Sequence, residues 1–257
     1  MSENNLELEH SNPWPHLIAP WAALLLAMVS KILILPALIL DGCQIWVHEF
    51  GHAFIGWFGS RAATPLGIGW TNMELERSWF VYACFLFLIG ITAWRSIQHR
   101  YYYLVFLALL ALIGQTHFTF FSNDWRWARM VSYGGIGGEF WLSALLIMSF
   151  HYRLPSSIRW DWLRYFVLLV GVYTFYHAIT FWHGVESGTQ MFPWGSLIHG
   201  EEDGNGDMNR LVHEYGWTKE YIIAKYLQDG RVLLIILALH YLFHAARYLP
   251  NVKKQRP

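Results

Sequence analysis

The chain has 257 residues and a formal net charge of zero, and 55% of its residues are hydrophobic whereas only 14% are charged. Soluble domains carry about 25% charged residues, so this composition argues against a soluble globular protein and favours lipid as the surroundings of much of the surface. The even balance of charge, without a basic patch, also argues against nucleic acid as a partner.

Long apolar runs predict an all-α, polytopic membrane protein with about six to seven transmembrane helices. The first run covers 17–40, is interrupted by Asp41-Gly42 and resumes over 43–58. Residues 59–78 contain turn-forming residues and predict a loop or a short hairpin. Five further spans are predicted at 79–94, 101–120, 133–151, 165–182 and 232–249.

Three polar segments flank or separate these runs, within one integrated, multi-pass domain over 1–257. They are an N-terminal tail at 1–15, a long connection at 183–229 and a basic C-terminal tail at 250–257. The tail at 1–15 lacks a basic region, so we expect the first apolar run to stay as a membrane anchor and not to be cleaved. Within the connection, Thr218 is predicted as the N-cap of an amphipathic helix.

His48, Glu49 and His52 form an HExxH motif inside the second apolar run. Residues four apart lie on one face of a helix, so the two imidazoles can bind one zinc ion. Glu49 is then placed as the general base on zinc-bound water, whose pKa zinc lowers to about 7. Ionisable groups are costly inside an apolar helix, which favours a functional site over a chance match.

Two further segments accompany this motif. The Gly-rich stretch SYGGIGGEFW contains Glu139, and the stretch DMNRLV begins at Asp207. With the motif, they resemble the site-2 protease family of intramembrane zinc metalloproteases. Glu139 stands where that family has asparagine. Asp207 fits the aspartate of the family's Asp-Gly motif without the glycine, and Asp203-Gly204 fits the Asp-Gly pair alone.

The resemblance implies Zn²⁺ as cofactor, with His48, His52 and Asp207 as its ligands and Glu49 as the catalytic residue. Asp203 and Glu139 remain alternatives for the third ligand. The implied activity is zinc-dependent hydrolysis of peptide bonds, and the implied partners are the lipid bilayer and a membrane-protein or juxtamembrane peptide substrate. The sequence predicts no oligomeric state.

Several alternatives remain open at this level. A calcium loop would use side chains at four spaced positions, Asp203, Asn205, Asp207 and Glu214. A non-enzymatic transporter or scaffold would keep the motif as a structural metal site. A haem or di-metal membrane oxidoreductase would use other histidines, among them His240 and His244, which are four residues apart. The simpler interpretation of that pair is a polar end of the last span near the membrane surface.

Overall fold

The computed structural model describes residues 14–152, 162–195, 204 and 206–254. Within them the chain is predominantly α-helical, which confirms the all-α class, and it contains one β-hairpin. The helices are α1 (Trp14–Ser30), α2 (Ile34–Phe58), α3 (Trp79–Gln98), α4 (Tyr102–Thr116), α5 (Asp124–Ser149), α6 (Leu163–Glu186), α7 (Asp207–Asn209) and α8 (Lys219–Lys254). Short π-helical turns follow α4 at His117–Phe121 and α7 at Arg210–Glu214.

The first helical region is broken at 31–33 and not at Asp41-Gly42. Asp41-Gly42 interrupts the apolar run only, because α2 continues through both residues and 43–58 extends the same helix. Pro36 lies in the first turn of α2, where its missing N–H is tolerated, whereas a helix continuing from α1 would need that N–H. α1 and α2 meet at an angle of 113°.

Four helical segments among the described residues are long and apolar enough to cross a membrane, and the bent pair α1 and α2 would make a fifth if it is one span. The four are Trp79–Gln98, Tyr102–Phe121, Asp124–Ser149 and Leu163–Glu186. The predicted number of spans is not confirmed by this count. Thr218 does begin the last helix, since its Oγ1 accepts a hydrogen bond from the backbone N–H of Tyr221 at 3.2 Å.

Contacts divide the chain into two compact units, each assembled from separate segments. The first unit consists of Met1–Gln44, Glu139–Met191 and Ile223–Pro257, and α1 packs on α6 within it. The second consists of Ile45–Gly138 and Phe192–Ile222, and α3 packs on α4 within it. Both units are built from segments that are far apart in the sequence. The single integrated domain stays a prediction.

The hairpin of the second unit pairs β1 (Ala63–Leu66) with β2 (Trp70–Met73) in antiparallel register, from Ala63 opposite Met73 to Leu66 opposite Trp70. This agrees with the hairpin expected after the HExxH motif. The buried Arg61 guanidinium fastens its base by donating to the Leu75 carbonyl at 2.7 Å and to Asp124 Oδ1 at 2.5 Å.

Glycines bring α2 and α5 into close contact in the second unit. A Cβ on Gly51 would lie 2.9 Å from Gly138 Cα and closer still to the Gly134 carbonyl oxygen. Both obstacles are backbone atoms, which cannot turn aside as a side chain can. The indole of Trp127 adds a hydrogen bond from Nε1 to the Ile55 carbonyl at 3.1 Å. The α2 face that carries His52 is thereby held against α5.

We predict that Gly51→Ala destabilises the protein, since the added methyl must push two backbones apart at a cost of about 1–3 kcal/mol. The midpoint of thermal unfolding of the purified protein should fall by about 2–12 °C. Gly42→Ala is the matched control on the same helix, because nothing lies within 4 Å of its added Cβ. It should leave the midpoint unchanged or raise it, and equal effects of both substitutions would contradict the packing argument.

Candidate metal centre

Three predicted ligands come together in the second unit. His48 and His52 lie one turn apart on α2, and Asp207 begins α7. The Oδ2 atom of Asp207 is 3.3 Å from His48 Nε2 and 3.1 Å from His52 Nε2, and the two Nε2 atoms are 3.2 Å apart. The structure therefore places two imidazole nitrogens and one carboxylate oxygen at the corners of a nearly equilateral triangle.

The size of this triangle fits a tetrahedral zinc site. Zinc binds histidine nitrogen and carboxylate oxygen at about 2.0–2.1 Å, so two ligand atoms on one tetrahedral ion are about 3.3 Å apart. The three separations above match that value. Among the described residues, two nitrogens and one oxygen converge here, and catalytic zinc sites likewise use three protein ligands and keep the fourth position for water or substrate. Other divalent metals accept the same donors, so the geometry does not by itself select zinc.

The hydrogen bond that His52 makes on the side away from Asp207 strengthens this interpretation. Its Nδ1 is 2.7 Å from the Val131 carbonyl oxygen, which can only accept, so Nδ1 carries the proton. In the neutral ring, Nε2 then directs a lone pair at the Asp207 carboxylate. Two lone pairs at this separation repel each other unless a cation or a proton lies between them. A histidine that donates to a backbone carbonyl is the usual arrangement behind a metal ligand.

A positive charge on the histidine side favours the ionised form of Asp207. Burial alone would raise the pKa of Asp207, but when His52 and His48 are protonated their charges and the hydrogen bonds from both rings outweigh burial and hold the pKa below its ordinary value. The carboxyl group is thus ionised at neutral pH, which is the form that binds metal.

Gly135 on α5 leaves the space that the two imidazoles occupy. A Cβ there would lie 2.5 Å from His52 Nε2 and closer still to His48 Nε2. Any other residue at this position would push against the two donor atoms themselves. The Gly-rich stretch was singled out from the sequence for its resemblance to the family's span, whereas the role of Gly135 is visible only in the structure.

Glu49 lies beside the triangle and is buried, with 3% of its surface exposed. Its Oε2 accepts a hydrogen bond from the hydroxyl of Thr71 at 2.6 Å, so β2 of the hairpin holds the carboxylate. The sequence analysis missed Thr71, and the short distance between the motif and the predicted hairpin was the one signal that could have suggested such a contact.

A cavity of about 400 Å³ opens onto these residues. His48, Glu49, His52 and Asp207 line it together with apolar and aromatic side chains, including Trp70, Met73, Leu75 and Trp127. The side chains of His48 and Asp207 are 24% and 23% exposed, so both are partly accessible to solvent. The volume is within the range of ligand pockets, about 300–1,000 Å³.

Among the described residues, the ligand atoms that converge are those of His48, His52 and Asp207, without Glu139. Glu139 belongs to the first unit, where its Oε2 accepts a hydrogen bond from Gln44 at 3.1 Å. Asp203 lies outside the described residues, as does Asn205. Of the other calcium-loop positions, Asp207 faces the histidines and Glu214 pairs with Arg210 at 3.1 Å.

No protein-family model, no curated protein and no solved structure matches the chain. The candidate metal centre therefore depends on the residues and the geometry of this chain, and the resemblance to the site-2 protease family stays a prediction from sequence motifs.

We predict that Gly135→Ala abolishes metal binding while the protein still folds, because the added methyl displaces two side chains and not a backbone. Zinc content of the purified protein, measured by mass spectrometry, should fall to background. Gly137→Ala is the control on the same helix, since its Cβ would meet the Tyr133 ring at 3.1 Å and not the histidines. Full zinc retention in Gly135→Ala would show that the metal does not lie among these atoms.

Proposed function

We propose that this chain is an integral, multi-pass membrane zinc metalloprotease that hydrolyses peptide bonds in membrane-embedded or juxtamembrane segments. The observation that carries the proposal is the triangle formed by His48, His52 and Asp207, with the buried carboxylate of Glu49 in the same cavity. Two imidazoles and one carboxylate are a donor set of catalytic zinc sites, which keep a fourth position for water or substrate, and this supports a catalytic site over a purely structural one.

Exposed apolar surface supports insertion in a membrane. Large hydrophobic side chains on α3 and α4 face outward, among them Phe80, Phe87 and Phe106, which are 77%, 67% and 60% exposed. Soluble proteins rarely leave such continuous apolar surface in water. Lipid removes this cost, and the backbone of each helix satisfies its own hydrogen bonds there.

The chemistry proposed for the site is hydrolysis by an activated water. A bound zinc ion supplies Lewis acidity towards a carbonyl oxygen and towards water. Glu49 takes a proton from the attacking water as the new C–O bond forms at the peptide carbon. It then returns that proton to the amide nitrogen as the C–N bond breaks, so the products are a carboxyl group and an amine.

Thr71 has a positioning role in this scheme. Its hydroxyl donates to Oε2 of Glu49, which fixes the carboxylate and leaves Oε1 for the water. The aromatic and apolar walls of the cavity suit the side chains of a membrane peptide, whereas Arg210, which is paired with Glu214, adds a polar group to the same lining.

The test of the proposal is Glu49→Gln, which removes the base but keeps its shape. We expect zinc content to be retained and hydrolysis to fall about 10²–10⁴-fold. New protein N-termini should be mapped in membranes of cells producing either form. Cleavage sites within or beside hydrophobic segments should occur with the wild type and disappear with Glu49→Gln.

His48→Ala provides the complementary comparison, because it should lose both zinc and cleavage. If wild type and Glu49→Gln produce the same N-termini while both bind zinc, the protease proposal is wrong and the site is structural. If neither protein binds metal, the metal centre itself is wrong.

We further predict that Thr71→Val lowers the cleavage rate about tenfold without changing zinc content, since it removes one hydrogen bond to a charged group at similar volume. Thr71→Ser keeps the hydroxyl and should restore most of the rate. Initial rates on a peptide spanning a mapped cleavage site provide the measurement, and equal rates for the valine and serine variants would exclude the positioning role.

A further inference from the structure

A second group of histidines lies in the first unit and shares no residue with the candidate metal centre. His16 is on α1, His151 directly follows α5, and His240 and His244 lie one turn apart on α8. The ring centroid of His151 is 5.3 Å from that of His240 and 4.7 Å from that of His244. We call His151, His240 and His244 the histidine cluster.

The spacing of these rings is that of imidazoles around one metal ion. His240 and His244 have centroids 4.6 Å apart, and the corresponding distance for His48 and His52 in the metal centre is 4.9 Å. The i, i+4 pair on one helix plus a third ring from another segment is a frequent composition for a metal site.

The burial of the cluster points to a ligand. Nδ1 of His151 and the Nε2 atoms of His240 and His244 are buried and have no hydrogen-bond partner. His151 and His244 are only 8% and 5% exposed. Buried polar atoms without a partner are rare in native proteins. Three such nitrogens in one cluster are explained at once if a cation accepts all three lone pairs.

The ring nitrogens of the histidine cluster do not converge on one point in the structure. Among the described residues, the group whose ligand atoms already converge is that of His48, His52 and Asp207. His151 and His244 lie nearly parallel, at 14°, so binding requires rotation about the ring torsions. That torsion is broad for histidine and opposes the movement weakly.

We propose that the histidine cluster binds a divalent transition-metal ion of the class that prefers imidazole, such as Zn²⁺ or Cu²⁺. His16, whose ring centroid is 6.0 Å from that of His151, provides a further imidazole beside the site. This second site is separate from the proposed protease centre and does not depend on its activity. Its role is to bind a metal within the first unit.

The experiment compares metal stoichiometry in the full-length protein, purified in detergent and equilibrated with micromolar Zn²⁺. The double variant H48A/H52A should retain about one zinc per chain, whereas the wild type should bind about two. Adding H240A and H244A to that double variant should remove the remaining zinc. His117→Ala changes an exposed histidine of the chain outside both sites and should leave the stoichiometry unchanged.

Copper provides a second readout that does not require the loss of two residues of the histidine cluster. Cu²⁺ bound to the H48A/H52A protein should show hyperfine splitting from several imidazole nitrogens in its electron paramagnetic resonance spectrum, and His151→Gln should reduce the number of coupled nitrogens. The inference is overturned if H48A/H52A binds neither zinc nor copper, or if H240A/H244A and His151→Gln leave binding and spectrum unchanged. Failure of the protease proposal would show separately, as loss of the Glu49 effect on cleavage.

Discussion

The close approach of α2 and α5 at Gly51 is the constraint on which the metal centre depends. Only a residue without a side chain lets the two backbones meet there, next to Gly134 and Gly138. At this separation His52 reaches the Val131 carbonyl, and Gly135 leaves room for the imidazoles. The tautomer of His52 and the direction of its lone pair follow from this contact between α2 and α5, whereas the position of Asp207 depends on α7. If α2 and α5 were farther apart, the HExxH motif would remain but His52 would no longer reach the Val131 carbonyl.

Local features of this fold could be predicted from the sequence because their causes are local. The spacing of His48 and His52 on a helix fixes their common face. The hairpin follows from turn-forming residues between short segments, and the last helix starts where Thr218 caps it. The third ligand was harder to predict, because Asp207 lies in a polar segment with other acidic residues nearby. Its selection in the structure depends on where α7 lies, and no local pattern encodes that.

Other features could not be predicted, because the residues that explain them are far apart in the chain. Asp41 interrupts an apolar run, yet the helix continues through it. The hydroxyl of Tyr173 donates a hydrogen bond to the Asp41 carboxylate at 2.5 Å, so the acid has a partner within the first unit. Gln44 likewise donates a hydrogen bond to Glu139, so neither Asp41 nor Glu139 has to lie in a loop. The break instead precedes Pro36, whose effect was masked by the hydrophobic residues around it. Thr71 and the Val131 carbonyl are equally ordinary in sequence and acquire a role only through tertiary contact.

The hairpin has a consequence for what can enter the cavity. Arg61 fastens its base through hydrogen bonds. The indole of Trp46 on α2 packs against Gly67 at its turn, so closely that an added Cβ on Gly67 would lie 2.6 Å from Trp46 Cζ2. A hairpin held at its base and packed against α2 at its turn forms a fixed wall of the cavity, on the side where Thr71 meets Glu49. Under the proposed hydrolysis, a substrate segment would have to fit against this wall in the shape in which it arrives, so shape would be selected before sequence.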